Sequence, residues 1–165
     1  LSHAWQQPMA PAGFARRFDS AAESFPECLR AQGRGRGLQV PHQTTLYKNG
    51  VHWRYSGDIS FGEFVSANME VWGLPDWPKF RFQIVDLLDA GKPILGRGEA
   101  SGFASFDRAA AASSPTMRVA YVTRDPDWIE IAEDYIADLA TRGWEVRIFA
   151  DLSEARSWAG LSEEV

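Results

Sequence analysis

The first sharp pattern of side chains lies near residue 50. Residues 44–48 and 51–56 are rich in β-branched and aromatic side chains, which favour strands. The Asn49-Gly50 dipeptide between them is typical of a two-residue β-turn, because both central positions of such a turn take positive φ. The pattern therefore predicts an antiparallel hairpin with its turn at Asn49-Gly50.

A helix is predicted directly after this hairpin. Ser60 and Glu63 have the spacing of a capping box, in which the hydroxyl and the carboxylate each satisfy a backbone N–H that lacks a partner at the start of a helix. Apolar residues then recur at helical spacing up to Trp72. Gly73 and Pro75 are residues that end helices, so the helix is predicted to stop there.

Further strands alternate with helices along the rest of the chain. The apolar run in residues 80–88 predicts a central strand that ends at Asp86 to Asp89, and residues 117–122 and 144–150 predict two more strands. Asp125-Pro126-Asp127 indicates a helix start, because Asp is a good N-cap and Pro suits the first helical position. Asp151 predicts the N-cap of a last helix.

The stretch between residues 91 and 116 is harder to assign. Its glycines predict a loop over residues 91–102, followed by a helix over residues 103–112. Gly96 to Gly102 could cradle a phosphate, but the spacing departs from G-x-G-x-x-G and no Gly-Lys-Ser/Thr follows. A surface loop is the favoured interpretation, and a mobile loop over a pocket is the alternative.

The N-terminal region has a different composition from the rest of the chain. Residues 1–40 contain several prolines and the run Gly33-Arg34-Gly35-Arg36-Gly37, which favours a linker or a poorly ordered, irregular extension over an RNA-binding tract. They carry five arginines against three acidic residues, a charge of +2. Residues 41–165 form the predicted domain, and their 12 basic against 19 acidic residues give −7. An acidic domain argues against nucleic acid as a partner.

Composition also excludes several protein classes. No apolar run approaches the roughly 18 residues that a membrane-spanning helix needs, so no membrane span is predicted. The single cysteine, Cys28, excludes a disulfide framework and is compatible with the reducing cytoplasm, which is the predicted location. His3, His42 and His52 have no His or Cys partner at ligand spacing, so neither a metal nor another cofactor is predicted.

The order of elements resembles the STAS superfamily, in its SpoIIAA-like branch. The residues that carry the resemblance are residues 51–60, 85–87, 118–122 and 147–151, together with Trp158. The match covers roughly residues 44 to 158. It implies an α/β fold with a mixed sheet of about five strands, an N-terminal hairpin, and three to four helices packed mainly on one face. The branch consists mostly of small bacterial proteins.

The resemblance also implies two kinds of activity. Anti-sigma factor antagonists of this superfamily are partner switches, in which a phosphorylated serine breaks docking to a kinase-like partner. That serine normally follows an aspartate in an Asp-Ser-Ser or Asp-Ser-Thr motif, which is absent here. Ser101 and Ser105 are the only serines near the expected helix start and are the phosphoacceptor candidates. The fold is also similar to lipid-carrying CRAL-TRIO domains, which implies an apolar ligand.

Three residues are the candidates for ligand binding: Asp86, Phe103 and Phe106. The chain has seven tryptophans and ten phenylalanines, which either fill a core or line an apolar cavity. Phe103 and Phe106 follow the glycine-rich stretch and are the best pocket candidates. Asp86 and Asp89 could form an acid/base pair or hold a metal, although carboxylates at a strand end more often cap turns. No Ser/His/Asp order or Gly-x-Ser-x-Gly motif is present, so no catalytic residue is predicted.

The sequence therefore predicts a non-catalytic, STAS-like protein-interaction or regulatory module. Its partner is another protein or a second copy of the chain in a homodimer. The alternative function is a carrier or sensor of an apolar small molecule or lipid in a cavity between sheet and helices. A weaker alternative is an enzyme that works through Asp86 and Asp89. The volume of the cavity separates the first two hypotheses, because a lipid carrier needs several hundred cubic ångströms.

Overall fold

The computed structural model describes residues 42–94, 97–139 and 143–161. These residues contain a five-stranded sheet in which strand order follows chain order. The strands β1 and β2 pair antiparallel, and every later neighbour pairs parallel. The predicted N-terminal extension, residues 1–40, lies outside the described residues. The strands are β1 (His42–Tyr47), β2 (Gly50–Ser60), β3 (Phe82–Ile94), β4 (Met117–Val122) and β5 (Trp144–Phe149).

Four α-helices flank the sheet: α1 (Phe61–Trp72), α2 (Arg97–Ala110), α3 (Pro126–Leu139) and α4 (Leu152–Ala159). Buried residues of α1, α2 and α3 pack with one face of the sheet in a single large core cluster. The other face carries a smaller cluster, in which Ala155 and Ala159 of α4 contact β3 and β4. The predicted fold class, a mixed α/β sheet with helices mainly on one face, is confirmed.

The hairpin turn lies one residue earlier than predicted. Lys48 and Asn49 form the turn, and Gly50 is already the first residue of β2, opposite Tyr47. Glycine is needed here for a different reason, since a Cβ at Gly50 would come within 2.5 Å of the Phe82 ring. The residue therefore permits the close approach of β2 and β3, and it is not among the glycines with positive φ in the described residues.

The capping box of α1 is confirmed. The Ser60 hydroxyl accepts a hydrogen bond from the Glu63 N–H at 3.4 Å, and the Glu63 carboxylate accepts one from the Ser60 N–H at 2.8 Å. Similar local chemistry begins α3, where the Asp125 carboxylate accepts from the Asp127 N–H at 2.9 Å. The Asp151 carboxylate accepts from the N–H groups of Ser153 and Glu154 and begins α4. Side chains close in sequence fix these helix starts.

The predicted loop over residues 91–102 is wrong. β3 continues past Asp86 to Ile94 because its second half pairs with the extended end of β2, and α2 begins at Arg97. Gly98 and Gly102 therefore lie inside a helix and cradle no phosphate in a loop. Burial of Phe103, Ala104 and Asp107 against the core outweighs the low helix propensity of the glycines.

Candidate functional site

A small aromatic cavity lies between the sheet and the helices α1, α2 and α3. Its volume is about 30 Å³, which is room for one or two water molecules. Phe103 is 5% exposed, and its ring meets that of Phe64 edge-on at a centroid distance of 5.0 Å. The lining residues are Phe61, Phe64, Phe103, Tyr121, Trp128, Ile131, Ala132 and Tyr135. Aromatic rings thus fill most of the space that a larger ligand would need.

A buried carboxyl group lies beside this cavity. Asp107, four residues after Phe103 on α2, is 2% exposed and accepts a hydrogen bond from the Tyr135 hydroxyl of α3 at 2.5 Å. Its other oxygen, Oδ1, is buried and has no hydrogen-bond partner. Burial raises the pKa of Asp107 to about 7, and the hydrogen bond from Tyr135 opposes that rise. The carboxyl group therefore keeps its proton to a much higher pH than an exposed aspartate does.

Two further tyrosines extend this polar cluster inside the apolar core. Tyr121 of β4 interacts electrostatically with both Asp107 and Tyr55, and burial raises the pKa of Tyr121 above its ordinary value. The Tyr55 hydroxyl is buried without a hydrogen-bond partner, and its ring stacks on Phe64 at 5.1 Å. The cluster therefore holds an acidic group among phenols, in surroundings that disfavour its charge.

A second apolar surface lies between α1 and α2. Residues four apart share a helix face, so Phe106 lies on the same side of α2 as Gly102, whose position faces the Phe61 ring of α1. Met69 lies three residues before Trp72, whose ring is 6.2 Å from that of Phe103. Phe106 is 37% exposed and Met69 is 55% exposed. The four side chains Phe61, Met69, Trp72 and Phe106 are termed the α1–α2 groove.

The opposite face of the sheet carries a different buried carboxylate. Asp86 is 3% exposed, its Oδ2 lies 3.5 Å from Nε2 of His52, and its Oδ1 accepts from the Leu88 N–H at 3.1 Å. Burial raises the pKa of Asp86, but the contact with His52, the Leu88 N–H and the charge of Arg54 outweigh burial and lower it overall. Asp86 is therefore held as a carboxylate at neutral pH.

The structure separates Asp86 from its predicted partners. Asp86 does not end its strand, and it lies on the face of the sheet opposite Phe103, so the two cannot line one pocket. Asp89 is exposed and accepts a hydrogen bond from Nε of Arg54 at 3.0 Å. Asp86 and Asp89 thus have different hydrogen-bond partners and very different burial. A role for Asp86 in ligand binding stays a prediction.

The remaining predicted site residues lie on α2. Phe103 lines the cavity, whereas Phe106 is partly exposed and is not among the residues that line the cavity. Ser105 is exposed and lies well inside α2, where its hydroxyl accepts from Arg108 at 2.6 Å, so it is not at a helix start. The side chain of Ser101 lies outside the described residues. Phosphorylation of either serine stays a prediction.

The sequence analysis missed His52, Asp107 and Tyr135 as site residues. A signal was present for Asp107, because a carboxylate four residues after Phe103 lies within the apolar stripe of its helix. Tyr135 belongs to the apolar stripe of α3, and only tertiary structure brings it to Asp107. His52 meets Asp86 because of the register between β2 and β3.

The described residues contain neither a candidate metal centre nor a candidate membrane-spanning helix. Within residues 42–94, 97–139 and 143–161, no three His, Cys, Asp or Glu side chains form a group that could hold a metal ion. None of the helices in these ranges combines the length and the apolar character that crossing a bilayer requires.

Comparison with solved structures gives one similar chain. It is an uncharacterized protein of the DUF3478 family from Shewanella loihica PV-4, described as having a SpoIIAA-like fold. The sequences are 14% identical, the match covers 77% of this chain and 99% of that chain, and the TM-score is 0.46. No protein-family model and no curated protein matches the sequence.

Proposed function

We propose that this domain is a non-catalytic interaction module that binds an amphipathic helix of a partner protein in the α1–α2 groove. The observation that carries the proposal is the exposure of two large apolar side chains, Met69 on α1 and Phe106 on the neighbouring helix α2. Such a groove suits recognition of the apolar face of a helix, whose anchors recur at three- and four-residue spacing.

The size of the interior cavity supports a surface site over an enclosed one. Ligand pockets typically measure roughly 300–1,000 Å³, and the cavity behind Phe103 has about 30 Å³. A lipid chain would have to displace several packed rings to enter. The groove requires no such rearrangement at Met69 and Phe106, because both side chains are already exposed.

Charge indicates the chemistry of the partner. The α1 helix contains Glu63 and Glu70 and no basic residue, and residues 41–165 together carry a charge of −7. Electrostatic complementarity therefore favours a helix whose polar face is basic. The partner class in this proposal is a protein segment with Leu-like anchors on one face and Lys or Arg on the other.

The test uses two designed helical peptides with the same apolar face, one with a lysine-rich and one with a glutamate-rich polar face. Fluorescence anisotropy measures their binding to the full chain. We expect the lysine-rich peptide to bind at least tenfold more tightly, and the double variant Met69→Ser, Phe106→Ser to weaken it by about a further tenfold, or roughly 1.4 kcal/mol.

The matched control is Leu46→Ser, since Leu46 is 53% exposed on the edge strand β1 and belongs to neither of the two helices that form the groove. This variant should leave the affinity unchanged. Absence of binding by both peptides, or an equal loss in the control and the groove variant, contradicts the proposal. Native mass spectrometry of the purified chain tests the carrier hypothesis separately, because a retained lipid would favour it over the groove.

A further inference from the structure

The contact between α2 and α3 contains one buried hydrogen bond between ionisable groups. The Tyr135 hydroxyl donates to Oδ2 of Asp107 at 2.5 Å, and both side chains are 2% exposed. A second contact lies at the surface, where the Arg108 guanidinium donates to the Asp138 carbonyl oxygen. Apolar packing around the aromatic cavity also joins the two helices.

No cation compensates the Asp107 carboxyl group in the described part of the chain. The groups that face it are phenols: Tyr135 from α3 and Tyr121 from β4, with Tyr55 of β2 beyond Tyr121. Arg108 is next to Asp107 on α2, but its guanidinium is turned to Asp138 and Ser105. An ionised Asp107 would thus be a buried carboxylate with one oxygen lacking any hydrogen bond.

We propose that Asp107 and Tyr135 form a proton-operated latch between α2 and α3: the helix pair stays closed while the carboxyl group is protonated, and it opens locally more often when the group ionises, because the gain from hydrating the buried charge exceeds the stabilisation that the Tyr135 hydrogen bond gives the carboxylate. In the closed state a neutral carboxyl group fits the apolar core, and its oxygen Oδ2 accepts from Tyr135. Loss of the proton leaves a charge that gains free energy by meeting water. Water reaches it only if α2 and α3 separate locally, so ionisation favours opening of this pair.

The latch has a consequence for the α1–α2 groove, which rests on the proposed function. Phe106 directly precedes Asp107 on α2, so local opening of α2 displaces one wall of the groove. The module should then hold its partner more firmly at acidic than at alkaline pH. This consequence can fail while the latch itself stands, and the measurements below keep the two apart.

The direct test is a titration of the carboxyl carbon of Asp107 by NMR between pH 4 and pH 9, on the full chain without peptide. We expect a midpoint near pH 7, where the pKa of Asp107 lies. Tyr135→Phe removes the donor that stabilises the carboxylate and should move the midpoint upward by about one pH unit. The matched control, Tyr47→Phe, removes a hydroxyl from the opposite face and should leave the midpoint unchanged.

Amide hydrogen exchange tests the opening. At each pH, the opening frequency of α2 and α3 in the wild type is divided by that in Asp107→Asn. This ratio should rise about tenfold per pH unit between about pH 4 and pH 7, and it should be constant above about pH 7. A midpoint below pH 5, or the same pH dependence in both proteins, overturns the latch. If Asp107→Asn fails to fold, the Asp107 titration midpoint in Tyr135→Phe is the test: an upward shift of about one pH unit supports the latch, and an unchanged midpoint overturns it. Peptide affinity measured across the same pH range tests the link to the groove alone.

Discussion

The two faces of the sheet are covered in different ways. On the face under α1, α2 and α3, aromatic rings such as Tyr55, Phe64 and Phe103 stack directly on one another. On the other face α4 packs through small residues, and the Trp158 ring lies beside the guanidinium groups of Arg118 and Arg147 at 5.8 and 5.1 Å. The first face is thus stabilised mainly by burial of apolar area, and the second combines burial with polar contacts.

Each face also buries one aspartate, and the two have opposite titration behaviour. Asp107 lies among tyrosines, and burial raises its pKa. Asp86 is about as inaccessible to solvent but lies less deep in the protein, and it faces His52, the Leu88 N–H and the charge of Arg54, so its pKa is lowered. The depth of burial and the partners at the site together set the charge of each carboxyl group.

The largest effect is expected for Phe103→Ala. Removing this buried ring should lower the free energy of unfolding by about 3–5 kcal/mol, through lost burial and the cavity left behind. Phe106→Ala, three residues later on the same helix, should cost only about 1–2 kcal/mol because the ring is partly exposed. Urea unfolding at pH 6 measures the free energy of unfolding of both variants. Equal decreases in the two variants would contradict the distinction between a core ring and a groove ring.

The next effect concerns the pH dependence of global stability through Asp107. Its raised pKa means that the folded state binds the proton more tightly than the unfolded state, so this stabilisation is complete below about pH 4 and is lost as pH rises to about 7. Between pH 5 and pH 8 the loss should be about 3 kcal/mol. The Asp107→Asn variant should not lose this stability between pH 5 and pH 8. Thermal unfolding of the wild type and the variant at both pH values measures the difference.

A smaller effect of opposite sign is expected for Asp86. The lowered pKa means that its stabilisation is present above about pH 4 and is lost as pH falls through the pKa of the folded state. Asp86→Asn should therefore destabilise the protein at pH 7 by about 2 kcal/mol, because a charged, hydrogen-bonded group facing His52 is lost. The difference from wild type should shrink toward pH 3. An unchanged difference at low pH would falsify the assignment of this effect to the carboxylate charge.

Local chemistry made much of the fold predictable from the sequence. The Ser60 and Glu63 pair and Asp125 act within three residues of themselves, and the structure has the helices where these residues predict them. The α2 helix begins at Arg97 and not at the predicted residue 103, because Gly98 and Gly102 oppose helix locally and the packing of the helix against the sheet compensates. The turn at Lys48-Asn49 was misplaced by one residue because the need for Gly50 comes from Phe82, which is distant in sequence.

The candidate site was less predictable, for a geometric reason. Phe103 was found because a large apolar side chain in a helix stripe points to the core wherever the helix packs. The partners of Asp86 and Asp107 depend instead on strand register and on which two helices become neighbours. Neither the strand register nor the pairing of helices can be predicted from the residues next to Asp86 and Asp107 in the sequence.

Because strand order follows chain order, each strand pairs only with strands adjacent to it in sequence. A chain that emerges from the ribosome can thus complete the sheet by successive addition, with no later strand inserting between two earlier ones. After the β1–β2 hairpin, each new strand and its helix extend an edge that is already in place. The loop closures involved are short, which favours rapid folding for a largely parallel sheet.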